Sequence, residues 1–201
     1  MLGLFIFCVV SSAQNINTDN YNWELASTCT LELNTFIPTG SLSNTLGKSI
    51  GFGLYMGFPI NEKIRLDVGT SLFIPKEEKK IIYFADNEKL EGRASLSGGI
   101  GVWITKVKRI HNRVYWDTKS GLGVGFFQTD IETGKPKEEN DSVYGVETVF
   151  INIGTAIRTS IFNSNIGVKL DYFLVPYNLF KKRLPSNFGM SYLTIGLIYG
   201  L

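Results

Sequence analysis

Ser49 to Pro75 reads SIGFGLYMGFPINEKIRLDVGTSLFIP, and its alternation allows few folds. Ile50, Phe52, Leu54, Met56 and Phe58 alternate with Ser49, Gly51, Gly53, Tyr55 and Gly57. After a short break, Ile64, Leu66, Val68, Leu72 and Ile74 alternate with Arg65, Asp67, Gly69, Ser71 and Phe73. A period of two places successive side chains on opposite faces of a strand. The same pattern predicts strands near 24–37, 48–58, 64–74, 93–104, 113–128, 145–161, 166–175 and 189–201. Most are long enough to cross a bilayer at a tilt, which takes roughly 9–11 residues. Strands of soluble proteins average only about five or six.

The connections fall at 38–47, 59–63, 75–92, 105–112, 129–144, 162–165 and 176–187, alternately long and short. Short turns at one end and long loops at the other are the pattern of membrane-spanning barrels. An even strand number then puts both termini at the short-turn end. One set of faces carries Ile50, Phe52, Leu54, Leu66, Val68, Ile151 and Ile153; the other is rich in Gly, Ser and charge. Small residues such as Gly51, Gly53, Gly121 and Gly123 facing inward let eight strands close tightly around a few large side chains. The expected fold is therefore all-β, an eight-stranded antiparallel up-and-down transmembrane β-barrel over residues 24–201, its apolar face toward lipid.

Composition supports this and narrows function. Twenty basic and 18 acidic residues leave a formal charge of +2, which argues against a nucleic-acid partner. The chain starts MLGLFIFCVVSSAQ, an apolar run followed by small residues, and this predicts a cleaved signal peptide at 1–13 and an N-terminal segment at 14–23. No base precedes the run, and a buried strand at the start of a mature protein is the competing reading. With one histidine, His111, and one cysteine left after cleavage, Cys29, neither a metal site, a cofactor nor a nucleophile–histidine pair is expected.

With these features the chain resembles the small eight-stranded outer-membrane barrels, the OmpX-like and OmpA-membrane-domain-like family. Its final octamer, TIGLIYGL, looks like the C-terminal signal read by the barrel-assembly machinery, with Thr194, Gly196, Tyr199 and Leu201 as its elements. No peptidoglycan-binding domain is expected after the barrel. The resemblance implies export to the outer membrane of a Gram-negative bacterium and contact with its lipid and lipopolysaccharide. It also implies a monomer whose loops at the outer end are available to an unidentified extracellular partner.

Inside the barrel, Glu24, Arg65, Asp67, Asp117, Lys119, Arg158, Lys169 and Asp171 are expected in the periplasmic half of the lumen. Buried charges must be paired, so four acids and four bases predict a mutually neutralising plug. Tyr55, Phe73, Trp103, Tyr115, Phe127, Phe150, Phe173 and Tyr192 also point inward. The cluster is either a structural salt-bridge layer or a gated, proton-linked path. The small residues above it either frame a shallow ligand cup or are filled by the phenylalanines. Three functional classes follow: a structural or surface-interaction barrel without enzymatic activity, a narrow channel or small-ligand transporter, and a secreted soluble barrel. The basic residues at 105–112 are expected in a solvated turn.

Overall fold

Alternation over long stretches, with β-branched and aromatic residues on one face, produces strands that pair with their sequence neighbours. The computed structural model describes residues 28–85, 88–131, 144–161, 164–177 and 184–201. Eleven strands are present among them: β1 (Thr28–Pro38), β2 (Leu46–Gly47), β3 (Ser49–Asn61), β4 (Ile64–Phe73), β5 (Lys76–Glu77), β6 (Ile81–Ala85), β7 (Glu88–His111), β8 (Val114–Ile131), β9 (Tyr144–Ile161), β10 (Ser164–Leu174) and β11 (Ser191–Gly200). Eight of them form the wall in the order β4-β3-β1-β11-β10-β9-β8-β7, and pairing of β4 with β7 closes it. All pairs are antiparallel.

Closure fixes the geometry. Following the residues that face each other across neighbouring strands once around the wall leads from Thr28 through Gly57, Asp67, Trp103, Gly121, Asn152, Phe173 and Tyr192 to Pro38. The circuit returns to β1 ten residues further on (38 − 28), and this stagger tilts the strands by roughly 35–45°. At that tilt the exterior band of Leu, Ile, Val and aromatic side chains is about 25 Å tall, the height of a bilayer's apolar zone. Ile50 and Leu122 on this band are each 68% exposed, as part of a continuous outward row of large apolar side chains.

Three elements differ from the sequence reading. Residues 105–112 are not a turn: β7 runs to His111, and a two-residue connection with Arg113 at φ 66° and a bulge after Arg109 joins it to β8. Lys106 and Lys108 continue the alternation, but as polar residues they disguise it. The segment 75–92 is not a loop throughout. Ile81–Ala85 pairs with Glu88–Gly92 of β7 and takes over the edge that β4 leaves at Phe73. The segment 38–47 contains a 3-10 turn at Gly40–Asn44 and then β2, which pairs with β5. A bulge between Ala94 and Leu96 shifts the face register of upper β7, so that Ala94 packs inward. The proposed start of β1 at 24, the signal segment 1–13 and the segment 14–23 lie outside the described residues.

Candidate functional site: the charged lumen

The even stagger keeps one face of every strand inside, and two zones of different chemistry stack along the axis. The upper zone is aromatic. Phe173 stacks on Tyr192 with ring centroids 4.8 Å apart and planes 13° apart, and Tyr192 also meets Phe36 at 4.6 Å. Phe150 joins Phe173 at 5.6 Å and Trp103 at 5.8 Å, and Trp103 sits edge-on to Tyr55 at 5.0 Å. Above them Phe127, Tyr177 and Phe188 make a second group, continuous with buried Leu42, Leu46, Ile81, Tyr83 and Leu184. The eight inward aromatics read from the sequence are all buried. Gly121 makes room for them: a Cβ there would overlap the indole of Trp103. Burial pushes the Tyr177 phenol up to about 12, only partly offset by its hydrogen bond with Ser97.

The lower zone is ionic. Arg65 holds Asp67 through two bonds, Nε to Oδ1 at 2.6 Å and Nη2 to Oδ2 at 3.2 Å, and Thr105 donates its hydroxyl to Oδ2 at 2.5 Å. Arg158 donates Nε to Asp117 Oδ2 at 2.7 Å and Nη1 to Asn165 at 3.0 Å, and its guanidinium lies 4.8 Å from the centre of the Tyr115 ring. Between these pairs lies a four-membered group. Asp171 accepts from Lys169 at 2.7 Å and Lys119 at 3.1 Å; Lys169 also bonds Glu32, and Lys119 is 3.8 Å from it. Tyr55 offers its ring face to both lysines, at 5.4 and 5.8 Å.

Seven of the eight charges named from sequence thus fall into these three groups, while Glu24 lies outside the described residues. The fourth acid among the described residues is Glu32, which the sequence reading did not single out. It shares the inward face of β1 with Thr28, so alternation alone could have found it. Its role as the partner of Lys169 could not be read that way, because the match depends on the stagger. Four acids and four bases cancel, as buried charges require. Between them a cavity of about 50 Å³ is lined by residues that include Glu32, Arg65, Asp117, Lys119 and Arg158. It is large enough for a few waters, since each needs about 10–15 Å³. Asp117 Oδ1 and Arg158 Nη2 are buried there without a protein partner.

The residues named as the assembly signal lie on β11. Thr194 is buried and donates to Asp171 at 3.4 Å, and Gly196 faces Asn34 and Lys169 across its two neighbours. Tyr199 and Leu201 face outward at the short-turn end, where Leu201 exchanges backbone bonds with Cys29 at 2.9 and 3.3 Å. Among the described residues no group of His, Cys, Asp and Glu could hold a metal ion. His111 is exposed at the end of β7.

No family model matches the chain, and no curated protein does. Solved structures do. The barrel is similar to Neisserial surface protein A, at 12% identity, 87% coverage of this chain, 94% of that one and a TM-score of 0.56. Ail, the attachment invasion locus protein of Yersinia pestis, aligns at 11% identity over 87% of this chain and 95% of its own, with a TM-score of 0.49. The N-terminal β-barrel domain of Pseudomonas aeruginosa OprF aligns at 11% identity over 86% and 97%, with a TM-score of 0.44. The fold is that of the small outer-membrane barrels, and the chain is a membrane β-barrel.

Proposed function

We propose that this protein resides in the outer membrane as a barrel with a sealed lumen, and that it acts as a structural or surface-interaction protein through the outer ends of its strands. The aromatic column from Trp103 to Phe188 supports this most directly. It fills the upper lumen with side chains in mutual contact, above an ionic layer whose charges are paired. A solute would have to displace both. The strands and small elements above the aromatic column also form a built platform: Leu42 is fully buried, and Gly189, at φ 95°, packs against its backbone where a side chain would collide. Rigid scaffolds that present such surfaces are common binding sites.

In this reading the long connections face outward and the short turns face the periplasm. The protein acts in this reading as a monomer without enzymatic activity or a cofactor, and closure of the wall supports the monomer in that it leaves no unpaired edge for strand addition. Planar-bilayer recording tests it: the refolded chain should show no steady unit currents. Steady unit conductance would overturn the sealed lumen and favour a narrow channel. Recovery of folded protein from solution without detergent would overturn the membrane placement itself.

A further inference from the structure

Extending β7 to His111 changes what two of its lysines can do. Lys106 and Lys108 now lie on the lipid-facing side of a paired strand, exposed, below Ile104 and above Ile110. Lys106 is in register with Ile64 of β4 and Thr118 of β8, and Lys108 with Trp116 of β8. The turn that carries Lys63 is held beside them, because Val107 donates its backbone N–H to the Lys63 carbonyl at 2.8 Å. Among the described residues none of these three lysines has an ion-pair partner, although Glu62 stands next to Lys63 in the same turn. By contrast, Lys80 and Arg93 at the outer end pair with Glu91 and Glu77, each at 3.6 Å.

Depth is what gives the lysines a ligand. The ten-residue stagger places Lys106 and Lys108 at about the height of Phe58, Trp116 and Tyr199, which face outward near the short-turn end. Aromatic belts of this kind mark the level of lipid headgroups. Trp116 is fixed there by an N–H bond to Thr155 Oγ1 at 2.6 Å. A lysine at the bilayer midplane costs roughly 2–4 kcal/mol, but near the interface the cost falls to about zero to one. Its ammonium reaches the headgroups while its stem covers apolar surface.

We propose that Lys106 and Lys108, with Lys63, form a binding site for the phosphodiester of an anionic phospholipid in the leaflet at the short-turn end. This rests on the membrane placement and sidedness proposed above. It is independent of whether the lumen conducts.

The test is native mass spectrometry of the full refolded chain in neutral detergent micelles, titrated with phosphatidylglycerol, phosphatidylcholine or free glycerol phosphate. Phosphatidylglycerol should be retained at least tenfold better than phosphatidylcholine. The preference should fall about fivefold for each lysine neutralised, from about 1 kcal/mol per base near an anionic surface. Lys106→Gln and Lys108→Gln together should therefore abolish most of it, while Lys106→Arg and the outer-end control Lys79→Gln should keep it. All are exposed positions, and retained β-sheet circular dichroism verifies folding. Equal retention of the two lipids, or a preference unchanged in the double variant, overturns the site. Retention of glycerol phosphate equal to that of phosphatidylglycerol overturns the lipid as its ligand. Conductance of the same preparations separates a failure here from a failure of the sealed-lumen reading.

Discussion

Asp171 is the point at which the ionic layer should be weakest to substitution. Its side chain is 0% exposed and holds both Lys169 and Lys119. Asp171→Leu leaves those two cations sharing Glu32 alone, one uncompensated positive charge in the lumen. Removing one partner of a buried pair costs about 3–5 kcal/mol. The lower end applies here, because the cavity beside the group can hydrate Lys119, whose side chain is 13% exposed against 2% for Lys169. We expect a loss of about 3 kcal/mol in urea unfolding from lipid vesicles followed by tryptophan fluorescence. Asp171→Asn paired with Lys119→Gln restores neutrality and should cost less than the sum of the two single changes, by about 1–3 kcal/mol. The adjacent Leu170, 46% exposed near the middle of the lipid band, gives the contrast. Leu170→Asp puts a charge into lipid and should cost about 1–3 kcal/mol, since acids cost less there than the roughly 2–4 of Lys or Arg. A stabilising Asp171→Leu together with a harmless Leu170→Asp would refute the assignment of faces.

Three other perturbations probe separate parts of the barrel. Gly121→Ala drives a methyl into Trp103 and strains its 2.8 Å bond to Asn152; a loss of about 1–3 kcal/mol and an altered tryptophan emission should follow. Phe173→Ala removes the ring between Phe150 and Tyr192 and should cost about 3–5 kcal/mol in the same urea assay, without opening a conducting path, because the ionic layer beneath stays closed. The Tyr177 phenol, raised to about 12 by burial, adds stability that is fully present below the unfolded value of about 10 and is lost as pH rises through about 12. Tyr177→Phe should therefore flatten the alkaline limb of stability against pH relative to the unchanged protein; an identical limb would show that this group does not titrate with folding.

Which face a side chain takes was legible because it depends only on parity. Ile50 and Leu122 outside, and Phe127 and Asp117 inside, follow from counting by two along a single strand. The alternating lengths of the connections likewise exposed the up-and-down order. Where a strand stops was harder. Lys106 and Lys108 read as a turn because they interrupt an apolar series, yet both lie on the outward face of a strand that stays paired with β8, and with β4 as far as Lys106. At Ser95 a bulge reset the parity, and no residue type in that stretch announced it. The pairing of charges was the least accessible. Glu32 and Lys169 lie on strands separated by β11, and their meeting depends on the offset accumulated around the whole wall. Each individual hairpin register is local, set by a turn and by two facing patterns. The ten-residue stagger exists only once β4 meets β7 and β1 meets β11. A single-strand reading can thus say that an acid points inward, but only closure decides which base it neutralises, and so which substitution leaves a charge stranded.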